Sequence, residues 1–199
     1  MKILFLILAA TSFSLLGFSS TWEIDDAHTA AKFKIKHLMV SNVYGQITGA
    51  KGNLEIDDKD LTKTTGTVTL DVTTINTNNE KRDAHLKEAD FFEVSKHPTL
   101  TYQIKKVSKS KGGKYSIEGE LTLKGVTKPV SLKDVEITPT VKDPWGGIRR
   151  GLSGTTTIDR KDFGITWNKV LDGGGITLGE KVEVEIAAEL KAKAENAKN

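Results

Sequence analysis

Cysteine is absent from this 199-residue chain. That excludes disulfide staples, thiolate metal centres and a lipid attached through a cysteine. The fold must therefore hold by burial alone, which about 180 residues allow in one domain. Charge of one sign is also missing. Lys and Arg number 29 against 26 Asp and Glu, a formal net of +3, and the two signs are interspersed. No basic stripe of the kind that grips nucleic acid is present. Histidine is scarce: His28, His37, His85 and His97 show neither H-x3-H nor HExxH spacing, so no metal and no other cofactor is expected. No G-x-S-x-G nucleophile motif occurs, and no catalytic residue is assigned. Beyond residue 19 no apolar run approaches the roughly 20 residues that span a bilayer, so stable membrane insertion is not expected.

What is present begins with a leader. Met1-Lys2 supplies a positive start, Ile3 to Leu16 an apolar core, and Gly17-Phe18-Ser19 small residues flanking a cut after Ser19. This order predicts a signal peptide over 1–19 and a periplasmic or secreted mature protein. The alternative, a membrane anchor, suits the segment less well. Its core is short and is interrupted by Thr11, Ser12 and Ser14.

After the leader, apolar and polar residues alternate with period two in segment after segment, the mark of strands with one buried face. Inward rows are Phe33 and Ile35; Val68, Leu70 and Val72; Leu100, Tyr102 and Ile104; Tyr115, Ile117, Gly119, Leu121 and Leu123; and Val182 through Leu190. Lys111-Gly112-Gly113 reads as a hairpin turn; Lys124-Gly125 and Lys128-Pro129 bound another connection. The apolar parity slips at Lys133-Asp134, which predicts a β-bulge. About eight strands result, enough for a closed all-β antiparallel barrel. One exception is Thr77-Asn78-Asn79-Glu80, with capping-box spacing, which predicts a short helix over about 78–88. The domain is placed at 20–191, with a frayed tail over 192–199.

Alternation alone does not decide what fills the barrel. Ala31, Gly119 and Ala188 are small at inward positions, but glycine inside a strand also marks bends and bulges. Asp172 to Gly175 reads as a hairpin tip or as a gate at a barrel mouth. Arg82, Asp83, His85 and Asp90 are read as an ion-pair network fixing the helix; acid–base catalysis by His85 and Asp83 is the alternative.

Longer motifs carry a family resemblance. Trp22-Glu23-Ile24-Asp25 with His28-Thr29 and Phe33 to His37 resembles the opening of the YceI-like family. Arg82-Asp83-x-His85-Leu86, Asp90-Phe91-Phe92 and His97-Pro98 are similar to its central signature. Gly119 to Thr127 and Thr157 to Ile165 resemble its later strand–turn and I-[ND]-R-x-D-F-G segments. The glycine-rich stretch Asn168 to Gly179 departs from a common pattern. The resemblance implies a single extended lipocalin-like barrel that holds a long-chain isoprenoid or amphiphilic lipid in a central tunnel, as a periplasmic homodimer without catalysis. The expected lining is Phe33, Ile35, Leu100, Tyr102, Ile104, Leu121, Leu123, Phe163, Ile165 and Trp167. A filled-barrel interaction protein and a lipid-modifying hydrolase are the competing readings.

Overall fold

The structure, a computed structural model, describes residues 20–171 and 175–193. The leader, the tip Asp172–Gly174 and residues 194–199 lie outside the described residues. Ten strands and one α-helix follow in order: β1 Ser20–His37, β2 Ser41–Ile47, β3 Lys51–Ile56, β4 Thr65–Asp71, α1 Glu80–Lys87, β5 Thr99–Lys109, β6 Tyr115–Leu123, β7 Val126–Ile137, β8 Val141–Lys142, β9 Ile148–Asp159 and β10 Leu178–Ala192.

Eight of these strands close a barrel in the order β10-β1-β3-β4-β5-β6-β7-β9, with β9 returning to β10 from Lys181↔Asp159 to Lys191↔Arg149. Every pairing is antiparallel, so short connections suffice and no sheet edge is left around most of the circumference. The two further strands are β2, which pairs the second half of β1, and the two-residue β8 beside β9. The expectation of about eight strands thus describes the barrel and omits these two short additions. β10 extends to Ala192, opposite Trp22, and the Lys193 N–H donates to the Thr21 carbonyl at 3.1 Å. Ordered pairing therefore reaches past the boundary expected at residue 191.

The parity slip in β7 is a bulge. Tyr115 faces Val135 but Ile117 faces Leu132, and Asp134 takes φ +51°. Leu132 and Val135 are buried although they differ in parity, because the extra residue turns the strand over. One connection differs from expectation. The tight turn is Lys124-Gly125, at φ +50° and +74°, and Pro129 lies inside β7 opposite Glu120. Pairing of β7 with β9 starts only at Lys133, so Pro129 stands on an unpaired edge, where a missing N–H is tolerated.

The helix forms at Glu80–Lys87, but its cap is Asn79, whose side chain accepts the Arg82 N–H at 3.0 Å. Thr77, expected to be the cap, is buried and does something else. Its N–H donates to Asp83 Oδ1 at 2.9 Å, its hydroxyl donates to the same oxygen, and Arg82 Nε donates to that hydroxyl at 2.7 Å. The network holding the helix to the barrel is thus centred on Thr77. Of the ion-pair network expected among Arg82, Asp83, His85 and Asp90, the His85–Asp90 pair forms at 3.0 Å, whereas Arg82 and Asp83 are joined through Thr77.

Candidate ligand-binding tunnel

One end of the barrel is sealed. Trp22, Leu54, Ile56, Ile117, Val135 and Leu190 are all buried there. The Arg150 guanidinium lies 4.8 Å over the Trp22 ring and reaches Asp58 at 2.8 Å. Beside this floor, Asp25 meets Arg149 at 2.6 Å and Lys191 at 3.1 Å, and Arg149 also reaches Glu189 and Asp143. Burial alone pushes the Asp25 carboxyl up, but the contacts from Lys191, His28 and Arg149 outweigh it and hold it below the usual carboxylate range. Asp25, His28 and Glu189 bring ligand-type atoms within 4.8 Å of one another, a grouping invisible to sequence spacing. Two cations already occupy its carboxylates, which makes it an ion-pair network rather than a vacant metal cage.

Above the floor a cavity of about 350 Å³ opens inside the barrel, within the roughly 300–1,000 Å³ range of ligand sites. Along β10 its wall includes Leu178, Val182, Val184, Ile186, Ala188 and Leu190. The twelve residue steps from Leu178 to Leu190, at ~3.3 Å each, make that wall about 40 Å long along the strand, and strand tilt shortens it to roughly 30 Å along the barrel axis. The cavity is therefore a narrow tunnel.

Nine of the ten residues expected in the lining stand on its wall: Phe33, Ile35, Leu100, Tyr102, Ile104, Leu121, Leu123, Ile165 and Trp167. Phe163 does not. It is buried to 1% exposure and packs in the cluster of Phe91, Leu121, Leu123 and Ile165. The reason is local: Phe163 ends the 3₁₀ turn Arg160–Phe163, and Gly164 follows at φ +73°. Period-two alternation does not survive that turn, so Phe163 and Ile165 no longer share a face.

The inward glycine also proves different from a space-leaver. A Cβ on Gly119 would come within 2.4 Å of the Tyr102 ring. The ring lies across this position, and its hydroxyl donates to the carbonyls of Val130 at 2.9 Å and Ile117 at 3.2 Å. Burial, with Glu118 adding, pushes the Tyr102 phenol up to about 12. Gly45 does the same for Phe33, whose ring tip would stand 2.4 Å from a Cβ.

The other end of the tunnel is the mouth. Here α1 and the turn after it contribute Arg82, His85, Leu86, Phe91 and Phe92, and β1 contributes His37. The His85 side chain is 43% exposed while it lines the cavity, so solvent reaches this point. His85 Nε2 meets Asp90 Oδ2 at 3.0 Å, and the ring stands edge-on to Phe91 and Trp167 at 5.0 and 5.4 Å. Arg160 also lines the wall. Its Nε and Nη1 donate to the carbonyls of Gly179 and Ile165 at 2.8 and 2.7 Å, and burial lowers its pKa. Arg160 continues the inward parity of Ile158, the sequence signal that corresponds to its place on the wall. Leu86 in α1 and Phe91 and Phe92 in the turn after it carried no periodic signal, because α1 has no buried residue of its own, and stood in the sequence only as part of the central signature.

An antiparallel eight-stranded barrel closed at one end around an apolar tunnel defines the chain as a lipocalin-like β-barrel. The model of the YceI-like domain family matches residues 22–190, and the chain belongs to that family. A UPF0312 protein of Staphylococcus aureus (strain MSSA476) is 39% identical over 171 residues, which is 85% of this chain and 96% of that protein. The crystal structure of a Campylobacter jejuni YceI protein is 31% identical, with TM-score 0.68, over 97% of this chain and 99% of that one. A polyisoprenoid binding domain from Saccharophagus degradans is 12% identical, with TM-score 0.59, over 88% of this chain and 99% of that domain, a likeness of fold alone.

Proposed function

We propose that this protein binds a polyisoprenoid or similar long-chain amphiphile in its tunnel and stores or carries it, without catalysis, in the periplasm or outside the cell. The observation that carries the reading is the tunnel itself: a long apolar wall, a sealed floor, and polar groups confined mainly to the mouth. An apolar chain gains about 0.8 kcal/mol per buried methylene and requires no directed contact along its length. Arg82 and His85 at the mouth suit the polar head of an amphiphile. The likeness to a fold that includes a polyisoprenoid binding domain supports the same class of ligand.

The hydrolase reading has less support. His85 engages Asp90 and two aromatic rings, with no hydroxyl nucleophile in the set. A homodimer belongs to this proposal, and analytical ultracentrifugation checks it. The test of the function is a series of prenols of increasing length, titrated against the chain from Ser20 onward. Affinity rises with each isoprene unit and levels off once the tail meets the Leu54 and Leu190 floor. Affinity independent of chain length overturns the proposal.

A further inference from the structure

A hairpin tip and the base of a second ribbon stand side by side at the tunnel mouth. The first is Leu38-Met39-Val40, between β1 and β2. The second is the ribbon around Val170, bridged to Ile176. They are joined: the Leu38 N–H donates to the Thr177 carbonyl at 2.8 Å, and the Thr177 N–H to the Lys169 carbonyl at 2.9 Å. Their bases, His37, Trp167 and Thr177, line the tunnel.

The first tip is apolar where a solvated turn is normally polar, and the second ribbon presents an exposed apolar side chain at Val170. Met39 is 57% exposed, Val40 80% and Val170 79%. Leu38 and Met39 both take positive φ, at +50° and +61°, in turn positions where Asn and Gly are favoured. Tyr44 is exposed behind them and Trp167 is half-buried at the mouth, the side chains that favour a lipid–water boundary. The charge that flanks them in sequence is mostly positive, and the nearby carboxylates Asp90 and Glu180 are paired with His85 and Lys161. No Asp or Glu occurs between Asp26 and Glu55, or between Asp162 and Asp172. Lys36 and Lys169 are exposed beside the tips, and neither has a carboxylate within 4.0 Å among the described residues. Apolar points flanked by unpaired lysines complement an anionic phospholipid surface.

We propose that Leu38–Val40 and Val170 form a docking rim that seats the tunnel mouth on an anionic phospholipid membrane, so that an apolar chain passes between bilayer and tunnel without crossing water. The proposal rests on the carrier reading above for its purpose, but the contact itself is tested apart from it. The tips enter only the interfacial layer, since two short turns cannot span the hydrocarbon.

The test uses the chain from Ser20 onward, which carries every described contact of the barrel, with vesicles of phosphatidylglycerol and phosphatidylethanolamine. The protein co-sediments with these vesicles, less strongly as salt screens the lysines. Full burial of one Val- or Met-sized side chain is worth roughly tenfold in partition. Met39→Asp with Val40→Asp therefore lowers the vesicle-bound fraction by about tenfold or more, and Val170→Asp lowers it in the same direction. Trp145→Ala leaves vesicle binding unchanged. Trp145 is 89% exposed but lies in the loop between β8 and β9, whose residue Arg149 meets Asp25 beside the floor. Loading of a detergent-dispersed prenol, measured without vesicles, is the same in all these proteins. A native chain that does not sediment, or tip variants that sediment as well as the native chain, overturns the proposal. It is equally overturned if the double variant dissociates a dimer while vesicle binding stays intact, because a second copy then covers the tips. Vesicle binding that persists in a protein unable to load prenol upholds the rim and removes the carrier reading instead.

Discussion

Filling the tunnel from within separates a ligand cavity from ordinary core. Ala31 sits midway along β1, between Ile24 near the floor and His37 at the mouth, and its side chain lines the cavity. Ala31→Phe puts a six-carbon ring into that space. The ring displaces roughly six methylene-sized groups of ligand. At about 0.8 kcal/mol each, the loss is about 5 kcal/mol, or several thousandfold in affinity. The fold itself is not weakened to match, because the ring fills an existing void and buries its own apolar surface. The assay is titration with a long prenol followed by tryptophan emission, since Trp167 stands on the cavity wall. Thermal unfolding by circular dichroism runs alongside. The expected pair of results is lost binding with a Tm within a few degrees of the native chain, and Ala188→Phe, on the neighbouring strand β10, behaves alike. A large drop in Tm, as overpacking of a filled core produces, refutes the reasoning, because it means there was no space for the ring.

Other perturbations probe separate parts of the account. Gly119→Val forces the Tyr102 ring off β6 into the tunnel, and costs about 1–3 kcal/mol in denaturant unfolding along with reduced prenol capacity. Arg149→Ala strips the buried Asp25 of one partner while Lys191 and His28 remain, which costs about 1–3 kcal/mol at neutral pH. Asp25 has its carboxyl depressed in the folded state, so its stabilisation is present above the unfolded carboxylate range near pH 4 and is lost as pH falls through the folded value. Arg149→Ala therefore moves the acid-unfolding midpoint, followed by circular dichroism, to higher pH. His85→Ala leaves prenol tail binding within about tenfold of native and abolishes no turnover of a lipid ester, because none is expected from the native chain. Ester hydrolysis that disappears in His85→Ala restores the hydrolase reading.

How far the sequence reveals this molecule follows from where its periodicities hold. Strand alternation reports a side chain's face as long as the strand is regular, and it located seven of the nine wall residues and the β7 bulge. It failed at Phe163, where a 3₁₀ turn replaced the strand, and at Pro129, where an unpaired edge let a strand run through a residue that usually ends one. The Thr77 spacing imitated a helix cap, yet Asn79 took that place because Thr77 was needed by Asp83 and Arg82. Contacts between distant segments left no local trace. Arg149 meets Asp25 across 124 residues, and Gly119 is glycine because of a ring on β5. The mouth was hardest to foresee, since its polar groups come from a helix whose orientation only the barrel defines.

The central claim is that the tunnel carries a long apolar chain. Its most direct test is organic extraction of the protein purified from the cells that produce it, followed by mass spectrometry, with Ala31→Phe purified in parallel. A prenyl lipid or related long-chain amphiphile is expected in near-equimolar amount from the native chain and is expected to be absent from Ala31→Phe. An extract without such a molecule, or one equally rich from both proteins, would contradict it.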